Sequence, residues 1–99
     1  MPGSENLSKE VFYYIYALAS VKRGGLYIGF TKDLKKQLQE HNRKENISTA
    51  PFSPYELIYY EACRNELDAR RREKYLKMSQ GSRMLKRRLK EYFYSKKSS

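Results

Sequence analysis

The twenty residues from Phe12 to Thr31 constrain this chain most. Val11 to Ser20 is rich in aromatic and β-branched residues and reads as a strand. Lys22-Arg23-Gly24-Gly25 supplies a hairpin turn, because glycine reaches positive φ without strain. Leu26 to Phe30 then reads as the partner strand. Thr31 is an N-cap residue type, Asp33 suits the positive end of a helix dipole, and a helix is expected to run to about Asn42. On it Leu34, Gln37, Leu38 and His41 share one face by the i, i+3, i+4, i+7 rule. The order places the hydroxyls of Tyr16 and Tyr27 on neighbouring strands, with polar side chains on the helix that follows. Such an arrangement can surround one phosphate.

The remainder reads more simply. Arg43 to Pro54, with Asn, Ser, Thr and two prolines, is expected to be a loop, and Leu57 to Ala62 a third strand. Asn65 caps a second helix with Glu66 and Asp68 in its first turn. There Ala69, Glu73 and Leu76 line up, so Glu73 interrupts a face that should point inward. Ser79 to Gly81 reads as a break, and Ser82 as the cap of a third helix with Leu85, Leu89, Tyr92 and Phe93 as its apolar stripe. The expected order is β-β-α-β-α-α, an α+β fold with a small antiparallel sheet flanked by helices. The 99 residues make one domain over 11–94, with a flexible leader at 1–10 and a flexible tail at 95–99.

The formal net charge is +10. From Ala69 through Lys90 there are ten Lys or Arg residues, and Glu73 is the sole acid there. A polyanion is the implied partner, nucleic acid first among them. A surface built only for solubility usually mixes both signs. Ten tyrosines and four phenylalanines with no tryptophan suggest rings at the core edge or on a binding face. Cys63 is the only cysteine, which excludes an internal disulfide and reads as a half-buried structural thiol. There is no apolar leader and no apolar stretch long enough for a bilayer, so a cytoplasmic protein without a membrane partner is expected.

The stretches Tyr14-Ile15-Tyr16, Leu26 to Leu34, His41-Asn42, Tyr59 to Ala62 and Arg72 to Lys77 occur in an order that resembles the GIY-YIG endonuclease superfamily. The likeness is to its small stand-alone bacterial domains, related to the N-terminal domain of the nuclease that acts in excision repair. It runs from about Phe12 to Phe93. It implies a three-stranded antiparallel sheet with flanking helices and phosphodiester cleavage of DNA, in a repair setting, with one divalent metal, magnesium or manganese, and no other small-molecule cofactor.

Residue by residue, the resemblance makes Glu73 the metal ligand. Magnesium keeps most of its waters and needs only one or two carboxylates; the plainer reading of Glu73 is a salt bridge to its basic neighbours. Tyr16 and Tyr27 match the two motif tyrosines, one helping to activate the attacking water and the other positioning water or phosphate. Without the motif they are two strand tyrosines stacked across a hairpin. His41 matches a proton carrier or phosphate contact, and Gly29 a close backbone approach. Gln37 stands where the pattern places the arginine that clamps the scissile phosphate. Glutamine keeps a donor and loses the charge, a change that commonly costs on the order of a hundred- to a thousand-fold in rate. Tyr14 replaces the glycine of the motif's name.

Lys32, Arg71, Arg72, Lys74, Arg83, Lys86 and Arg87 are expected to contact DNA backbone with low sequence specificity, since no zinc-ligand cluster or helix-turn-helix pattern is present. Three functions remain open from sequence: a metal-dependent DNA endonuclease impaired at Gln37, a DNA-binding module that has lost cleavage, and a basic domain that binds acidic proteins.

Overall fold

The computed structural model describes residues 10–22, 24–43 and 50–97. Strand β1 is Tyr13–Ser20, β2 Leu26–Thr31, helix α1 Leu34–Asn42, β3 Tyr55–Cys63, α2 Glu66–Lys77, α3 Ser79–Arg88 and α4 Lys90–Lys97. A short 3-10 turn at Ala50–Phe52 leads into β3. The sheet is antiparallel throughout, in the order β2-β1-β3. This is the α+β architecture that the sequence implies, with four helices among the described residues in place of three.

The hairpin forms where the two glycines are. Gly24 has φ 74°, Ser20 N–H donates to the Gly25 carbonyl at 2.9 Å, and Gly24 N–H donates back to Ser20 at 2.9 Å. Arg23 of the expected turn, the leader up to Lys9, loop residues 44–49 and the last two residues lie outside the described residues.

Alternation along β1 divides the core between two faces. Ile15 and Ala17 pack with Ile28, Ala69, Leu76 and Leu85, so α2 and α3 cover this side. Tyr16 and Leu18 pack with Tyr55, and with the half-buried Tyr27, Leu34 and Leu38, so α1 covers the other. A register shift against β3 between Ala17 and Leu18 admits Ile58 as an extra residue.

Several boundaries differ from expectation. Asp33, not Thr31, caps α1: its Oδ1 accepts Lys36 N–H at 3.1 Å, while the buried Thr31 closes β2 and its Oγ1 accepts Asp33 N–H at 2.9 Å. β3 starts two residues early because Asn42 holds its first residue, accepting Tyr55 N–H at 2.6 Å and donating to its carbonyl at 3.2 Å. The break after α2 is the single extended residue Met78 (φ −82°, ψ 159°), so Ser79 to Gly81 is helical. Ser82 caps nothing; its N–H donates to the Met78 carbonyl at 2.8 Å inside α3. Gly81 marks a contact instead of a break: a Cβ there would collide with the Tyr75 carbonyl oxygen and lie 2.6 Å from the carbon that bears it. The expected single last helix is divided at Leu89 (φ −104°, ψ 26°), and α4 continues to Lys97, through three residues expected to be tail.

Candidate active site

β1 and β2 set Tyr16 opposite Gly29, and Leu18 opposite Tyr27, on the face that α1 covers. The absence of a side chain at Gly29 is what lets the Tyr16 ring lie flat across the strand: a Cβ at Gly29 would overlap the phenol's Cζ and hydroxyl. Helix α1 brings two side chains one turn apart to that hydroxyl. His41 Nε2 lies 3.0 Å from it and Gln37 Oε1 3.5 Å. With the proton on Nε2, His41 donates to the phenol oxygen and leaves its O–H for Gln37. In the other tautomer the phenol donates to Nε2. The Tyr27 ring packs 4.9 Å from the His41 ring, and Tyr55 edges onto the same imidazole at 5.9 Å.

Burial governs the ionisation here. Tyr16 is 3% exposed and its pKa is raised well beyond the ordinary phenol value, first by burial and then by Tyr27, Glu73 and Glu40. His41 is fully buried, and burial lowers its pKa, opposed by Glu40. Both groups are therefore neutral near pH 7.

Glu73 stands on α2, which packs against the opposite face of the sheet. No hydrogen bond joins it to either phenol among the described residues. Its charge nonetheless acts on the Tyr16 hydroxyl. Its side chain is 18% exposed, and Oε2 is held 3.0 Å from Lys77 Nζ, not by the arginines around it. Lys77 in turn lines a 270 Å³ groove together with Tyr27, Leu76 and Ser82, between β2 and the α2–α3 pair. Tyr27 thus belongs both to the phenol–imidazole cluster and to the groove lined by Lys77, the partner of Glu73.

Among the described residues no three His, Cys, Asp or Glu side chains gather as a metal cage. One half-buried carboxylate with an exchangeable ammonium partner suits a hard cation that keeps most of its water. It does not suit one that needs a full set of protein ligands.

The basic residues divide. Arg83, Lys86 and Arg87 are exposed on α3 and line one shallow depression of 240 Å³. Lys74 is exposed. Lys32 is exposed with its ammonium 5.5 Å from the Tyr13 ring centre, and Arg71 is exposed beside Asp68 at 3.3 Å. Arg72 differs: its Nε donates to both Glu61 oxygens at 2.9 and 3.1 Å, and Tyr59 donates to the same carboxylate at 2.8 Å. That half-buried network employs Arg72 inside the protein. Cys63 is half-buried against the α2 side, and burial raises its thiol pKa. Sequence reading passed over Lys77 and Tyr55. Lys77 could have been found from its i, i+4 spacing to Glu73; nothing local in the sequence marks Tyr55.

Residues 12–84 match the family described as the GIY-YIG catalytic domain. A UPF0213 protein of Staphylococcus saprophyticus is 32% identical over 75 residues, covering 75% of this chain and 90% of that protein. A UPF0213 protein of Clostridium perfringens is 35% identical over 65 residues, covering 65% of this chain and 69% of that one. No solved structure matches the chain. With the sheet order, the paired tyrosines and a family match that spans β1 through the first half of α3, the chain belongs to the GIY-YIG family.

Proposed function

We propose that the chain hydrolyses phosphodiester bonds of DNA, slowly, with Glu73 holding a magnesium or manganese ion. GIY-YIG domains are typically nucleases that act on DNA. The observation that carries the reading for this chain is the convergence of Tyr16, His41 and Gln37 at one hydroxyl, with Tyr27 packed beside them and bordering the groove lined by Lys77, the partner of Glu73.

The two phenols take different roles. Burial sets Tyr16 against the phenolate, so its hydroxyl serves as a fixed dipole oriented by His41. Tyr27, half-buried at the edge strand, accepts a hydrogen bond from the attacking water. The water oxygen bonds to phosphorus as a phosphorus–ester oxygen bond breaks; the water's proton passes to solvent past Tyr27, and the departing oxygen takes a proton from solvent. Glu73 would hold a divalent ion, and such an ion would supply positive charge to the phosphate and lower the pKa of a nearby water. Gln37 offers its amide where a guanidinium would bring a full charge, which limits the rate.

The neutral Gln37 also favours a second reading, a DNA-binding module on the same scaffold that no longer cuts. Cleavage of branched, nicked and plain duplex DNA with magnesium or manganese separates the two. The native chain is expected to cut weakly and Gln37→Arg on the order of a hundred-fold faster, with Glu73→Ala as the blank. Cutting by Gln37→Arg alone establishes the second reading. No cutting by any version removes the first.

A further inference from the structure

We propose that Lys77 is the site's own cation: it guards the Glu73 carboxylate in the metal-free protein and binds the phosphate in place of the charge that Gln37 lacks. The inference rests on the phosphodiesterase reading and adds a residue which that reading does not use.

The need for a cation follows from the groups already placed. Tyr16, His41 and Gln37 meet at one hydroxyl, and all three are neutral. A phosphodiester brought against them gains hydrogen bonds but no full countercharge. Lys35 and Lys36 neighbour Gln37 in sequence but are exposed and lie off its face of α1.

Lys77 has the position. Its ammonium is 3.0 Å from Glu73 Oε2, and the residue lines the same groove as Tyr27 and Ser82. It also has the freedom. Its side chain is 54% exposed, and a partly solvated i, i+4 ion pair exchanges readily for another partner. A divalent ion taken by Glu73 repels an ammonium this close, and the repulsion is strong at a half-buried carboxylate. Displaced from Glu73, the four-carbon arm of Lys77 remains rooted on α2 beside the groove, where an anionic oxygen is the favourable partner. Lysine acts there as a point charge on a flexible stem, unlike the fixed fork of the arginine that the family pattern places on α1.

A purely structural Glu73–Lys77 pair would support α2 and do nothing else. The two roles differ in sign. Lys77→Met keeps length and removes charge. Manganese binding to the DNA-free protein, followed by the electron paramagnetic resonance of free manganese, is expected to tighten several-fold in Lys77→Met, because Glu73 loses its competitor. Glu73→Gln serves as the control without a carboxylate. Binding of nicked duplex in calcium is expected to weaken in Lys77→Met and to be kept in Lys77→Arg. Cleavage in magnesium is expected to fall about a hundred-fold in the native background and less than ten-fold in the Gln37→Arg background, where a second cation covers the loss.

Manganese affinity that is unchanged, or absent in both forms, overturns the proposal. So do equal losses from Lys77→Met in the two backgrounds. If no version cuts DNA, the nuclease reading fails by itself, and the manganese and calcium titrations still decide the role of Lys77.

Discussion

The Tyr16–His41 contact joins the chemistry of the site to the stability of the fold. His41 is fully buried with its pKa lowered from 6.5, the reverse of a histidine stabilised by a carboxylate. As pH falls through 6.5 the unfolded chain takes the proton before the folded one does. Stability is therefore complete above that value and declines below it, with a slope of at most about 1.4 kcal/mol per pH unit. Urea midpoints between pH 7 and pH 5 should show this decline, and His41→Gln should remove that histidine's share of it. Tyr16→Phe takes away the hydroxyl that His41 and Gln37 share. It is expected to cost about 1–3 kcal/mol in urea unfolding, and to lower DNA cleavage further than that loss of folded protein explains. At this scale the sequence was legible where motif spacing exists: Tyr16, Tyr27, Gln37 and His41 could be named before their convergence was seen. It was illegible where a partner comes from another element. Arg72 looked like one more surface cation until Glu61 and Tyr59 of β3 claimed it.

Elements were readable from turn chemistry and strand composition, and misread where packing overrides local preference. Gly24 and Gly25 made the hairpin plain, and Asn65 announced α2 correctly, its side chain accepting Leu67 N–H at 2.9 Å. Ser79-Gln80-Gly81 carries the same kind of signal and means something else. The helix stops one residue sooner, at Met78, and glycine is needed further on because α3 crosses the end of α2 at backbone contact. No local pattern encodes that crossing. Gly81→Ala tests it. Alanine favours a helix over glycine by up to about 1 kcal/mol, but here its methyl would meet the Tyr75 carbonyl and the Leu76 backbone, atoms that cannot turn aside. The clash should win, with a net loss of about 1–3 kcal/mol on thermal or urea unfolding. Gly29→Ala meets the end of the Tyr16 side chain instead of backbone. It should destabilise less than Gly81→Ala while displacing the phenol from His41, so that cleavage falls toward the level of Tyr16→Phe.

At the scale of the molecule, the charge of +10 acts through its distribution. Arg72 is committed to Glu61 and Arg70 pairs with Glu66 at 2.9 Å with its guanidinium 4.1 Å from the Phe30 ring centre, while Lys77 rests on Glu73 in an exchangeable pair. Arg83, Lys86 and Arg87 stand together on the outer side of α3. If they carry the DNA, binding is read from phosphates and not from bases. Each phosphate contact releases counterions and adds about 0.9 to the slope of log affinity against log salt on duplex DNA. Replacing all three by alanine should weaken binding alike on unrelated sequences and flatten that slope by up to three contacts' worth. Arg72→Ala should leave the slope almost unchanged and lower stability instead, because the Glu61 carboxylate loses its main partner. A slope insensitive to the three α3 cations would place the DNA on another face. Affinity for acidic proteins that persists at high salt, with none for DNA, would identify this surface as a protein-binding one.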